Sequence, residues 1–200
     1  MNRSVLSISV LFLFFGLTGC SSGDRESDRP AESGSQTSQP QIRQQESAIP
    51  YNFRIEMERL LDHYFKLKEA VTESDMQAAS AASGELSAFT SSVLDEVLEA
   101  ENQGLWLGIA RIIRTETDKL IDSESPVEMR IYFEHISRTM IRVADSFDPA
   151  GGPYYLVECE EAATGDNQWL SRDEQIRNPY QTSADISCGE IIEQFENQTG

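Results

Sequence analysis

Four segments of the chain carry apolar residues at three- and four-residue steps, the spacing that places side chains on one face of an α-helix. Their apolar positions are, in order, Phe53, Met57, Leu60, Leu61, Tyr64, Phe65 and Val71; Met76, Ala79, Leu86, Phe89, Val93 and Val97; Trp106, Ile109, Ile112, Ile113 and Leu120; and Met129, Tyr132, Phe133, Ile136, Met140, Val143 and Phe147. Short connections between such segments predict an all-α fold with an up-and-down four-helix bundle over residues 50–147.

Local signals indicate where the second and third helices begin and end. Thr72 opens a Thr-Glu-Ser-Asp sequence and is the expected N-terminal cap of the second helix. The apolar pattern extends that helix to Ala100, and Gly104 is its expected stop. The third helix is therefore expected over residues 105–121.

The fourth helix has the clearest start, because Ser125, Pro126 and Glu128 occupy the N-cap, N1 and N3 positions of a typical helix beginning. A Pro- and Gly-rich run at residues 148–153 should end the bundle. The segment from there to residue 200 is expected to be irregular. Within it, residues 154–157 have the pattern of a short strand, and residues 191–195 are expected to form a closing helix.

The N-terminus resembles a bacterial lipoprotein signal. Arg3 precedes an apolar run over residues 5–15, which is too short to span a bilayer as a stable anchor. Leu17-Thr-Gly-Cys20 resembles the lipobox, whose cysteine thiol is acylated, palmitate included, and just before which the chain is cut. We expect residues 1–19 to be a signal peptide and Cys20 to carry the lipid. Ser21 at the next position implies the outer membrane, facing the periplasm.

The mature chain divides into a tether and one domain. Residues 20–48 hold the lipidated cysteine and a Ser-, Gln- and Glu-rich stretch that cannot bury enough apolar surface to order itself. Residues 49–200 have the length of one ordinary domain. The net charge of -18 argues against nucleic acid and anionic membrane surfaces as partners, and suits cations or basic proteins.

Two cysteines remain after Cys20, and their pairing has more than one interpretation. Cys159 and Cys188 are most simply a disulfide in an oxidising compartment. The alternative is a copper or zinc site that adds the carboxylates of Glu161 and Asp185 to two thiolates. A thiol-redox role is a third interpretation, disfavoured because nearby acids such as Glu160 should raise the pKa of the Cys159 thiol.

Both histidines, His63 and His135, lie at the edge of a predicted apolar helix face, where a histidine is usually packed or solvated rather than a metal ligand. The chain shows no arrangement of nucleophile, base and acid, no phosphate-binding glycine loop and no metalloprotease helix. We therefore expect no enzymatic activity and no required cofactor.

The C-terminal segment resembles a bacterial domain family of unknown function, found alone or fused to periplasmic adaptor subunits of copper- and silver-efflux pumps. The resemblance rests on Cys159, Trp169-Leu-Ser, Ile176-Arg-Asn178-Pro179-Tyr180 and Cys188-Gly189-Glu. With a weaker likeness at the first helix, it runs from about Ile55 to Ile192. It implies an envelope binding module related to metal-efflux accessory domains, with an efflux adaptor-like protein as partner.

The chain departs from this family at the positions that imply soft-metal binding. Glu160 and Glu161 stand where the family usually has Pro-Met, and Asp185 replaces a methionine three residues before Cys188. The exchange removes soft thioether donors and adds hard carboxylates. We favour a branch that kept the disulfide and lost the metal. A site retuned to a harder ion and a purely structural docking lipoprotein are the alternatives.

Overall fold

The computed structural model describes residues 48–159, 168–181 and 187–196. The expected signal peptide, Cys20 and nearly all of the tether lie outside these residues, as do Glu160, Glu161 and Asp185. The helices are α1 (Tyr51–Thr72), α2 (Met76–Ser92), α3 (Ala100–Ile121) and α4 (Pro126–Phe147), followed by the strands β1 (Tyr154–Glu158), β2 (Gln168–Ser171) and β3 (Glu190–Phe195). Among the described helices, none is both long and apolar enough to cross a membrane.

The four helices form the predicted bundle. Helices adjacent in the sequence pack against each other, and α1 also contacts α4. One end of the core is filled by three rings: Phe53 lies 5.6 Å from Trp106 and 5.3 Å from Phe147, between ring centroids. Such edge-to-face contacts add to the area the rings bury. Ile112, which we expected to face inward, is instead 38% exposed.

The start of α4 is confirmed. The Ser125 hydroxyl accepts a hydrogen bond from the Glu128 amide at 3.3 Å, and the Glu128 carboxylate accepts one from the Glu124 amide at 2.9 Å. The predicted cap of α2 is wrong. Thr72 is the last residue of α1, where its hydroxyl bonds the Lys68 carbonyl, and Asp75 caps α2 by accepting from the Ala78 amide at 3.0 Å.

The boundary between α2 and α3 also differs from the prediction. α2 ends at Ser92, because Val93 is extended, and α3 already begins at Ala100. Gly104 therefore lies inside α3 rather than ending α2. A glycine weakens a helix by only about 1 kcal/mol, and here it is followed by Trp106, whose burial outweighs that cost.

The fold is mostly helical but not all-α, because three strands form an antiparallel sheet in the order β2-β1-β3. The strand expected at residues 154–157 is confirmed as β1. The closing helix expected at residues 191–195 is wrong, since these residues form β3. The five-residue segment that we expected to be helical has apolar residues at both ends and no decisive period of its own, and pairing with β1 selects the extended form.

Arg54 fixes the turn that leads from α4 into the sheet. Its Nε atom donates to the Asp148 carbonyl at 2.7 Å, and its guanidinium lies 2.9 Å from the Asp148 carboxylate. Asp148 ends α4 with a φ of 46°, and the Ala150 amide donates to the Arg54 carbonyl at 3.1 Å. The end of the bundle at residues 148–153 is thus confirmed.

Candidate functional site

Cys159 and Cys188 form a disulfide, with 5.7 Å between their Cα atoms. Cys159 directly follows β1 and Cys188 lies just before β3, so the bond closes the sheet at the point where these paired strands meet. The structural interpretation of the pair is therefore confirmed. A disulfide sulfur is not a thiolate, so the oxidised pair offers a metal neither of the two ligands that the copper or zinc alternative requires.

No group of three or more His, Cys, Asp or Glu side chains is placed to hold a metal within the described ranges. Glu161 and Asp185, the two carboxylates of the metal alternative, lie outside those ranges. The histidines face single carboxylates instead: His63 Nδ1 is 3.6 Å from a Glu85 oxygen, and His135 Nδ1 is 2.9 Å from a Glu116 oxygen. Neither histidine is brought to the cysteines.

The residues of the C-terminal motif gather around the disulfide. The Asn178 side chain donates to the Cys188 carbonyl at 3.2 Å and accepts from the Tyr180 amide at 2.8 Å, so it holds the turn that contains Pro179. The Tyr180 ring lies 5.8 Å from the Trp169 ring, edge to face. The spacing of these residues along the sequence thus reflects a packed structural unit.

Gly189 is part of the same unit, and its backbone explains the residue type. Its φ is 145°, a region that side chains rarely adopt. A Cβ atom there would lie 3.0 Å from the Trp169 ring and 3.1 Å from a Val157 methyl carbon. Glycine lets the chain after Cys188 pass close to the buried tryptophan.

Buried polar contacts bind this sheet unit to the bundle. The Tyr64 hydroxyl on α1 lies 2.9 Å from the Ser137 hydroxyl on α4 and accepts from the Leu170 amide of β2 at 3.2 Å. Burial raises the pKa of the Tyr64 phenol well above its ordinary value, against the smaller lowering effect of these hydrogen bonds. Tyr64 is therefore neutral and acts as a fixed connector.

Arg130 is a second connector, and it was not predicted from the sequence. Its guanidinium donates to the Pro179 carbonyl at 3.2 Å, the Pro126 carbonyl at 3.0 Å and the Ser74 hydroxyl at 2.6 Å. Burial lowers its pKa from the ordinary arginine value. One buried side chain thus joins α4, the α1–α2 connection and the motif turn. Its position at the start of an amphipathic helix gives no signal of this in the sequence.

A surface groove of about 630 Å³ lies between α1, α2 and the chain that follows β2. We call it the α1 groove. Its cations are Arg59, Lys66, Lys68 and Arg172; its carboxylates are Asp62, Glu69 and Asp173; and its rings are His63, Phe65 and Phe89. Of these residues, only His63 was a candidate site residue from the sequence. The others come together because α1 presents one face to α2 and to the end of β2.

The floor of the α1 groove is held by paired charges. The Lys68 side chain is only 3% exposed, and its ammonium lies 2.9 Å from a Glu69 oxygen and 3.5 Å from the Ser171 hydroxyl. Arg172 pairs with Asp62, and its Cζ atom lies 5.2 Å from the centroid of the Phe65 ring. These contacts place cationic groups beside an apolar ring surface in a fixed arrangement.

On the α2 side, Phe89 lines the groove and Glu85 lies beside it. Glu85 lies 3.4 Å from the Lys66 ammonium and 3.6 Å from His63, whose ring packs on Phe89 at 4.9 Å between centroids. The groove lining carries four cations and three carboxylates, and Glu85 beside it brings the charges level, although the whole chain has a net charge of -18. Paired charges next to the Phe65 and Phe89 rings suit a ligand that has both polar and apolar groups.

The fold and groove define a helical bundle carrying a small disulfide-closed sheet. The sequence profile of a family described as "Protein of unknown function (DUF3347)" matches residues 60–152. The similarity thus covers the bundle from α1 to the turn after α4, whereas the motif around Trp169 and Cys188 lies beyond it. Neither a curated protein nor a solved structure matches the chain.

Proposed function

We propose that this chain is an exported, lipid-anchored binding module of the bacterial envelope with no catalytic role. Cys20 would hold it at the outer membrane, facing the periplasm. The observation that carries the proposal is the α1 groove, whose walls come from α1, α2 and the chain that follows β2. Binding by groups that are already fixed costs less ordering entropy than binding by mobile ones.

The disulfide supports the exported location. Disulfides persist in oxidising compartments and are rare in the cytosol. The Cys159–Cys188 bond therefore fits the signal-like sequence that ends at Cys20. The similarity to a family of unknown function covers the helical bundle, and it indicates no activity.

Metal handling is the alternative, and it rests on the resemblance to efflux accessory domains. With both cysteines in a disulfide, a site built on their thiolates would have to form after reduction, with Glu161 and Asp185 as added ligands. We therefore propose a metal-independent partner in the envelope, such as an efflux adaptor-like protein. Metal handling and metal-independent binding can be distinguished by the growth of a deletion strain under copper, silver and zinc. Unchanged metal tolerance of that strain would argue against metal handling.

The groove can be tested in cells by site-specific photocrosslinking. A photoreactive residue at Arg59 or Lys66 should give a defined adduct, whereas the same residue at the exposed Arg111 or Arg114 of α3 should not. Adducts at all four positions, or at none, would contradict binding in the groove. An adduct that disappears with a chelator would favour the metal version.

The anchor is tested separately. Replacing residues 1–20 by a conventional cleavable signal peptide should prevent acylation and release the chain from the membrane fraction, while the crosslink in the groove persists where the partner is soluble. Such a chain that still fractionates with membranes as tightly as the parent would contradict anchoring through Cys20.

A further inference from the structure

A second recess lies at the end of the bundle where α1 begins. It has a volume of about 270 Å³ and is lined by Asn52, Phe53, Glu56, Ser92, Leu94 and Val97. We call it the end cleft. Leu94 and Val97 belong to the short connection between α2 and α3, and their exposed fractions are 69% and 43%. Two large apolar side chains are thus left in solvent beside a recess.

The stretch of chain that contributes Ser92, Leu94 and Val97 to the end cleft has acidic residues and no basic ones. Between Lys68 and Arg111 it has eight acidic residues and no lysine, arginine or histidine. Four of these acids, Asp95, Glu96, Glu99 and Glu101, belong to the α2–α3 connection or the first turn of α3. Glu99 and Glu101 stabilise the positive end of the helix dipole. Asp95 and Glu96 precede the helix, so that role does not account for them.

We propose that the end cleft binds a basic amphipathic segment of a partner protein. The recess has room for one large apolar side chain, which would pack against Leu94 and Val97. Lysine or arginine residues flanking that side chain would face the acidic connection. A single buried anchor surrounded by charge complementarity is a common design of protein interfaces, in which the anchor supplies most of the affinity and the charges supply rate and selectivity.

The charge also argues against the other occupants of such a surface. A second copy of the chain would bring its own net charge of -18 to the contact, and an anionic lipid surface would be repelled in the same way. A positively charged segment would instead be attracted by this negative charge. The proposal concerns a different surface from the α1 groove, so either site can fail without the other.

The test uses the mature chain from residue 21 to residue 200, exported as a soluble protein behind a conventional cleavable signal peptide, and a fluorescent amphipathic helix of about 14 lysines and leucines as the probe. Anisotropy titrations at physiological salt should show binding. Leu94→Ser with Val97→Ser should weaken it at least tenfold. Asp95→Asn with Glu96→Gln should weaken it and reduce its dependence on salt.

Matched controls lie about 30 Å away at the other end of α3, a helix of 22 residues. Val127 is 63% exposed, and Asp118 and Asp122 are exposed acids. Val127→Ser and Asp118→Asn with Asp122→Asn should leave binding unchanged.

Three results would overturn the proposal. They are no binding by the parent chain, equal weakening by the control variants, and equal binding of a scrambled probe with the same composition. Association with phosphatidylcholine vesicles through Leu94 and Val97, without binding of the probe, would assign the cleft to a bilayer instead. Circular dichroism of each variant should show the helical content of the parent, since all the substituted side chains are at the surface.

Discussion

The Tyr64 hydroxyl lies 2.9 Å from the Ser137 hydroxyl in the buried contact between α1 and α4. The same tyrosine oxygen accepts the Leu170 amide of β2, so it connects two helices and the sheet. Because the tyrosine oxygen accepts from Leu170, it can donate its own proton to Ser137. Both residues are buried, and the Tyr64 hydroxyl has hydrogen-bond partners on α4 and on β2 at the same time.

Tyr64→Phe should lower the free energy of unfolding by about 1–3 kcal/mol, because it leaves the buried Leu170 amide without an acceptor. Urea unfolding followed by circular dichroism measures the change. Tyr51→Phe is the control, since Tyr51 is 66% exposed and should change stability very little. Equal stability of the two variants would show that the connector is replaced by water or by movement of the sheet.

Replacing both cysteines, Cys159→Ser with Cys188→Ser, should lower the free energy of unfolding by about 3–4 kcal/mol. The bond closes a loop with a sequence separation of 29, and its loss frees the unfolded chain. Unfolding by urea, with tryptophan fluorescence and circular dichroism as probes, measures the loss. The sheet that holds Trp169 should unfold more readily than the helices.

The oxidised pair itself is checked on the parent protein. Intact mass should show no free thiol, a mass two hydrogens below the reduced value, and no bound copper or zinc. Two free thiols together with near-stoichiometric metal would instead establish the thiolate site, and Glu161→Gln and Asp185→Asn would then be expected to weaken metal binding.

The contribution of Glu116 should depend on pH. Burial would raise the pKa of this carboxyl, but hydrogen bonds from Lys119 and His135 outweigh it and hold the pKa below the ordinary value of 4.5. A carboxyl whose pKa is lowered by folding contributes stability above its unfolded pKa and loses it as the pH falls through the folded pKa. Glu116→Gln should therefore lower Tm near neutral pH, with the difference from the parent shrinking below about pH 4.5.

Thermal unfolding from pH 7 to pH 3 measures this difference. Glu124→Gln, a change at an exposed acid, should give no comparable pH-dependent difference. A Glu116→Gln effect of constant size across this range would mean that packing, rather than the charge, accounts for it.

Two glycines should respond oppositely to alanine. Gly189→Ala should destabilise the protein by about 1–3 kcal/mol, because it combines a φ of 145° with a close approach to Trp169. Gly84→Ala should be neutral or stabilising by up to about 1 kcal/mol, because Gly84 lies within α2 and a Cβ there meets no atom within 4 Å. Chemical unfolding of both variants measures the contrast, and a neutral Gly189→Ala would contradict the role given to its backbone.

The sequence by itself determined the features that depend on neighbours along the chain. The apolar spacing of α1 and α4 predicted the bundle, since period alone decides which side chains share a helix face. Ser125 predicted the start of α4 because capping bonds span only three residues. The even pair of Cys159 and Cys188 favoured the disulfide, which the structure shows, and it left metal binding open.

Tertiary structure decided the features whose partners are distant in the sequence. β3 became a strand because β1 offered it unpaired backbone groups, and Gly104 became helical because Trp106 is buried beyond it. Arg130 joined three segments, and the α1 groove formed where α1, α2 and the end of β2 meet. Local sequence patterns do not predict such contacts. The free energy that stabilises these contacts comes from burial and pairing between segments that meet only when the chain is folded.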